Sequence, residues 1–245
     1  MQFPFKAVLF DWAYTLVNLV TEDNRKAFYF LSKFIKENDI YDGDFEALYD
    51  PFHELFNDLI ELSRKTHREA CFEDVLKYFL LRCGVKLNDD KRIRNLLEVY
   101  YEVIYKPREV YPDTVSTLKT LRKSGVRLGV ISNTTNPGFM KDLERKSMDL
   151  DQFFEFSIYS SEVPYRKPHP SIFKLAIDRL NLRPDEILFV GDSLDTDVAG
   201  AQGVGIQTVW LTRNKLKNHG KIRPDYEIIS LAQLIDETQG FWRNK

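Results

Sequence analysis

KAVLFDWAYTL, Lys6 to Leu16, is the stretch on which the reading of the fold turns. A short apolar run closed by one aspartate is how a strand buried on both faces delivers a side chain to its carboxyl edge. Asp11 is therefore expected where open parallel sheets bind ligands. Partners for that strand lie far along the chain. After Tyr111-Pro112-Asp113 a helix runs to Lys123 and stops at Gly125, and VRLGVIS follows as a strand over Val126 to Ser132. Helices are expected near Phe139 to Lys146 and from Ser171 to Leu180, and strands near Phe156 to Tyr159 and at Ile187 to Val190. A helix over Thr196 to Gln202, a strand at Thr208 to Leu211, and a last strand and helix around Tyr226 to Ile235 complete the series. Alternation of this kind implies an α/β fold, a doubly wound parallel sheet covered on both faces.

From Glu22 to Tyr105 the pattern is different: glycines are scarce and apolar residues recur at helical spacing. One stripe joins Phe45, Leu48, Phe52, Leu55, Leu59 and Leu62, with Pro51 starting or kinking its helix. Others run through Phe28 to Ile35, Phe72 to Leu80 and Ile93 to Ile104, with breaks near Asn38 to Asp44, Lys65 to His67 and Cys83 to Asn88. The expectation is a four-helix bundle. It interrupts the α/β pattern as an insertion, 18–107, in a core formed by 1–17 and 108–245. Its aromatics (Phe28, Phe30, Phe52, Phe56, Tyr100, Tyr101) are expected to be mostly core.

With 43% hydrophobic and 29% charged residues the chain is expected to fold around a substantial core. Lys and Arg (35) nearly balance Asp and Glu (37), so no global field favours nucleic acid or a membrane surface. Cys71 and Cys83 are too few for a disulfide framework and too far apart for zinc-ligand spacing. They read as thiols in a reducing compartment. No leader-like start and no apolar run of membrane-spanning length is present, so the expected location is cytoplasmic, as a monomer or homodimer acting on a small molecule.

Four segments place polar residues just after a strand or at a helix start: FDWAYTL (Phe10 to Leu16), VISNT (Val130 to Thr134), YRKPHP (Tyr165 to Pro170) and VGDSLDTDVAGA (Val190 to Ala201). Singly, each has an ordinary reading. Asp11 closes a strand, Ser132-Asn133 is a helix-capping pair, Lys167 is a loop lysine, and Asp192, Ser193 and Asp195 cap the next helix. His169 reads as a loop residue. Together and in this order the segments resemble the four signatures of the haloacid dehalogenase (HAD) superfamily, and the helical insertion is similar to that family's cap. The resemblance spans essentially the whole chain and implies a Rossmann-like core and a Mg²⁺-dependent phosphatase reaction. It implies Asp11 as a nucleophile that forms an aspartyl-phosphate. Magnesium would sit on Asp11, Asp192 and the backbone carbonyl of Ala13. Ser132, the amide of Asn133 and Lys167 would hold the phosphoryl group. Asp197 would orient Lys167 or water on the metal, a role for which Asp195 is also a candidate.

The sequence departs from the family pattern at one important place. Phosphatases of this family carry a second aspartate two residues after the nucleophile as general acid and base; here that position is Ala13. Tyr14 replaces the small residue that usually follows, and its ring is expected to narrow the pocket or lend a hydroxyl to substrate. Such general acid–base help contributes about 10²- to 10⁴-fold, so slow turnover of alkyl phosphates is expected. Alternatives that tolerate the loss are a 2-haloacid dehalogenase and a phosphonoacetaldehyde hydrolase-like enzyme, for which Lys65 is the nominated cap lysine. A third is a non-enzymatic module that binds a phosphorylated ligand or a protein; an exposed apolar patch would favour it, and an enclosed polar cleft an enzyme.

Overall fold

The strand expected before Asp11 forms as β1 (Ala7–Phe10), buried along its whole length. A computed structural model describes residues 3–20, 22–85, 89–213 and 220–236. After β1 the chain passes through the short β2 (Val17–Asn18) into four helices, α1 (Asn24–Glu37), α2 (Tyr49–Thr66), α3 (Phe72–Arg82) and α4 (Asp90–Tyr105). It returns through β3 (Glu109–Val110), antiparallel to β2 with Val17 opposite Val110, so the outward and returning crossings run side by side. There follow α5 (Thr114–Lys123), β4 (Arg127–Ser132), α6 (Gly138–Ser147), β5 (Phe156–Tyr159) and α7 (Pro170–Leu180). The last elements are β6 (Ile187–Gly191), α8 (Ala199–Gln202), β7 (Gln207–Leu211) and β8 (Tyr226–Ile228).

Six strands form one sheet in the order β5-β4-β1-β6-β7-β8, every pair parallel. Central β1 shows why its sequence is apolar at every position. Val8 and Phe10 point into a cluster with Leu118 and Leu121 of α5, while Ala7 and Leu9 point into another with Ile172 and Phe173 of α7. Burial of both faces removes the usual polar alternation. The order reverses beside β1, so the carboxyl ends of β1, β4 and β6 open a crevice there.

The four helices share a third cluster, which includes Phe28, Phe52, Phe72, Leu96 and Tyr101 and reaches Met140 of α6. Their starts are encoded locally: the Asp23 carboxylate accepts the Lys26 amide (2.9 Å) and that of Asp89 accepts the Lys91 amide (2.8 Å). Pro51 lies in the first turn of α2 and so starts it, without a kink in mid-helix. The α2 stripe is only partly covered, since Phe52 is buried while Leu62 is exposed. Among the expected cap aromatics Phe30 is likewise exposed. Of the break at Cys83 to Asn88, residues 86–88 lie outside the described set.

Two helices differ from expectation. The last one is a single 3₁₀ turn, Leu231–Leu234, begun by the Ser230 hydroxyl accepting the Ala232 amide. Thr196 to Gln202 is not one α-helix: a π-helical turn covers Leu194–Val198, with the Val198 amide on the Ser193 carbonyl (3.2 Å), before α8 begins. No helix of the described residues is long and apolar enough to cross a membrane.

Candidate active site

Asp11 follows β1 directly, and its amide is held on the Val190 carbonyl of β6 (2.9 Å). Its carboxylate meets Lys167, whose Nζ lies 2.6 Å from Asp11 Oδ1, 2.8 Å from Asp197 Oδ1 and 2.7 Å from the Ile131 carbonyl. Two of these contacts are hydrogen bonds, to Asp11 and the Ile131 carbonyl, and that to Asp197 is an ion pair. Burial by itself would lower the Lys167 pKa, but Asp11 and Asp197 outweigh it and raise it, so the side chain is a fixed cation. Asp197 is buried as well, and that burial pushes it up to about 7 against the pull of Lys167. Thr15 donates its hydroxyl to the second oxygen of Asp11 (3.3 Å).

Oxygens of Asp11, Asp192 and Asp197 all come within 4.8 Å of one another. Such a buried acidic cluster has the oxygen chemistry of a hard divalent cation and can hold a metal. Gly191, at the end of β6, is required by this crowding: a Cβ there would lie 2.3 Å from the Asp197 carboxylate.

The remaining candidates separate. Ser132 is buried at the end of β4 and, with Asn133 and Ala13, lines a cleft of about 210 Å³ beside Asp11. The Asn133 side chain is engaged with the lysine loop, donating to the Lys167 carbonyl (2.9 Å) and accepting its amide (2.8 Å). Asp197 rather than Asp195 reaches Lys167, since Asp195 is exposed. Tyr14 is exposed, with its backbone in the left-handed region (φ 60°), and is not part of the cleft lining. His169 begins α7 and stacks on Tyr165.

Several cleft residues were not anticipated. Arg166 donates to Glu69 (3.1 Å) and to Ser63 (2.9 Å), and Ser160 donates to the other oxygen of Glu69 (2.6 Å), which ties the end of α2 to the sheet domain. Below the cleft lies Glu144, fully buried, which accepts from the Trp12 indole (2.9 Å), Arg108 (2.8 Å), Lys141 and the Tyr101 hydroxyl. Arg108 also pairs with Glu22. Lys65, by contrast, is exposed at the end of α2, faces Glu61 at 3.7 Å and is absent from the cleft, while Lys141 lines it.

Burial alone would raise Glu144, but Lys141 and Arg108 overcome it and hold the carboxyl at about 2, below its ordinary 4.5. A depressed carboxyl contributes stability that is complete above about pH 4.5 and is lost as pH falls from there towards 2. Between pH 4 and 3 the wild-type unfolding free energy should therefore fall by up to about 1.4 kcal/mol more than that of Glu144→Gln. Urea titrations across that range measure the difference, and parallel curves would show that Glu144 is not the group responsible.

Comparison with known proteins agrees with this arrangement. The family model "haloacid dehalogenase-like hydrolase" matches residues 5–205. A glyceraldehyde 3-phosphate phosphatase of Pyrococcus furiosus is 33% identical over 238 residues, covering 94% of this chain and 92% of that protein. A phosphoglycolate phosphatase of Salmonella typhi is 34% identical over 131 residues, about half of each chain (53% and 50%). Among solved structures, a HAD phosphatase from Thermococcus onnurineus superposes with a TM-score of 0.64 at 31% identity, covering 94% of this chain and 95% of that one. A 2-haloacid dehalogenase from Pseudomonas syringae pv. Tomato DC3000 has a TM-score of 0.70 at 23% identity, over 94% and 96% of the two chains, a likeness of fold. With an aspartate closing β1, a buried lysine from the loop before α7 and carboxylates after β6, the chain belongs to the haloacid dehalogenase-like hydrolases.

Proposed function

We propose that this hydrolase is a magnesium-dependent phosphatase that acts on a small phosphorylated metabolite through an aspartyl-phosphate. One observation carries the reading: the Asp11 carboxylate is ion-paired to buried Lys167 and gathered with Asp192 and Asp197 at the sheet's carboxyl edge. A haloacid dehalogenase needs no metal-binding carboxylates, so this cluster favours phosphoryl transfer. The donor set fits magnesium, with Asp11, Asp192 and the Ala13 carbonyl as its holders. When bound, the ion would neutralise charge on the phosphoryl oxygens. Asp11 attacks phosphorus in line, and Lys167, Ser132 and the Asn133 amide balance the charge of the transition state. Asp197 keeps Lys167 in place, and water then releases phosphate from Asp11. Tyr14 and Asp195 stand at the margin of this scheme, with contact to substrate proposed for Tyr14 only when the cleft closes.

Helices of residues 18–107 serve as a cap on a core of 1–17 and 108–245, with the paired β2 and β3 as the crossing. Cap and core together line a cleft that carries polar and charged side chains, which favours an enzyme over a binding module. Free thiols at Cys71 and Cys83 accord with work in the cytoplasm. The relatives make glyceraldehyde 3-phosphate and phosphoglycolate the first metabolites to try.

Hydrolysis of p-nitrophenyl phosphate with and without magnesium tests the reading. Metal-dependent turnover supports it; chloride release from 2-haloacids without phosphatase activity would replace it with the dehalogenase. Ala13→Asp restores the missing acid and should raise kcat on alkyl phosphates by about 10²-fold, with little gain on p-nitrophenyl phosphate. Equal gains on both substrates would show that protonation of the leaving group is not what Ala13 limits.

A further inference from the structure

Arg213 follows β7, yet its guanidinium is directed at two places far from that strand in the chain. Nη2 donates to the Thr15 carbonyl (2.7 Å), and Nη1 and Nη2 face the two oxygens of Asp113 at 3.3 and 3.2 Å. The guanidinium carbon lies 3.6 Å from the centroid of the Tyr111 ring. Thr15 stands just before β2 and Asp113 just after β3, so one side chain grips both ends of the passage between the sheet and the helices. Burial would raise the Asp113 carboxyl, but the Ser230 hydroxyl, Arg213 and the Leu231 amide hold it below its ordinary value, so the grip is between full charges. A lysine could keep its charge opposite Asp113 but could not present a fork to it and a further N–H to Thr15.

The arrangement continues to Asp11. Thr15 is fully buried, and its hydroxyl donates to Asp11 Oδ2 (3.3 Å) while Lys167 holds Oδ1 (2.6 Å). A carboxylate held on both oxygens is fixed in rotation, the condition for attack along one line. The turn that carries Thr15 closes with the Leu16 amide on the Trp12 carbonyl (2.9 Å). The Leu16 carbonyl accepts the Tyr111 amide (3.2 Å) and the Thr114 hydroxyl (2.9 Å), both from the return crossing. The Thr15 carbonyl, one residue nearer Asp11, takes its bond from Arg213.

We infer that Arg213 is a positioning residue for the nucleophile. Through the Thr15 turn it fixes the second oxygen of Asp11, and it anchors that turn to Asp113 on the return crossing. This rests on the phosphatase reading of Asp11 and goes beyond it, since Arg213 is not part of the cleft lining.

Hydrolysis of p-nitrophenyl phosphate in magnesium, with melting curves, tests the inference on Arg213→Lys, Thr15→Val and the double variant. Arg213→Lys should lower kcat by on the order of tenfold. KM and competitive inhibition by inorganic phosphate should stay within about twofold of wild type, because Ser132, Asn133 and Lys167 are untouched. Thr15→Val, nearly isosteric but without the hydroxyl, should lower kcat by a similar factor. In the Thr15→Val background Arg213→Lys should then cost little more, since both act through one hydrogen bond. Losses that multiply, or an unchanged kcat in folded Arg213→Lys, overturn the inference and leave the phosphatase intact. If Arg213→Lys does not fold, Asp113→Asn, which releases the fork but keeps the guanidinium, replaces it in the same cycle and is read in the same way. No metal-dependent turnover by the wild-type protein overturns the phosphatase reading, and this inference with it.

Discussion

Asp11→Asn should abolish magnesium-dependent hydrolysis of p-nitrophenyl phosphate, by on the order of 10⁴-fold or more, while the protein stays folded. The substitution is nearly isosteric and removes only the charge and the attacking oxygen. Lys167 keeps Asp197 and the Ile131 carbonyl as partners, so its buried charge is not abandoned. The fold should survive for the same reason, because β1 is held by its neighbours through the backbone. Acid-quenched wild-type protein should carry one phosphoryl group during turnover, read by mass, and Asp11→Asn should carry none. A variant that still turned over at a tenth of the wild-type rate would show that another group attacks phosphorus.

Glu144→Ala should be the most damaging single change for stability, although Glu144 takes no part in the chemistry. It would leave Arg108 and Lys141 buried side by side without the carboxylate that joins them. Breaking a buried ion pair in this way costs about 3–5 kcal/mol, which corresponds to a fall in Tm on the order of 10 °C. The Trp12 indole also loses its acceptor, so the residue next to Asp11 loosens and kcat should fall with stability. Adding Lys141→Met should recover part of the loss, because it removes one of the stranded charges. A melting point within about 2 °C of wild type would mean that solvent reaches the cluster and screens it.

The folding pattern was legible because it rests on local signals. β1 could be read from four apolar residues and a closing aspartate, and α1 and α4 from apolar stripes at helical spacing, while their caps Asp23 and Asp89 came from the structure. The final turn at Leu231–Leu234 was overread, since a capping serine and two leucines look alike at the head of an α-helix and of a 3₁₀ turn. Asp195 and Asp197 could not be ranked because the pitch of the turn decides which one faces inward. A π-helical turn over Leu194–Val198 carries Asp197 under Gly191 and leaves Asp195 in solvent.

Sequence alone determined the α/β architecture, the helical insertion after the first strand, and the order in which Asp11, Ser132, Lys167 and Asp192 arrive at one sheet edge. Those features follow from periodicity and from which residues end strands, and both are properties of neighbours in the chain. Only the tertiary structure decided the Glu144 cluster and the Arg166–Glu69 tie. Lys141 and Glu144, three apart on a short charged helix, have the spacing of a solvated surface pair. They are buried because α4, Arg108 and Trp12 close over them from distant parts of the chain, and the free energy of a charge is set by what covers it.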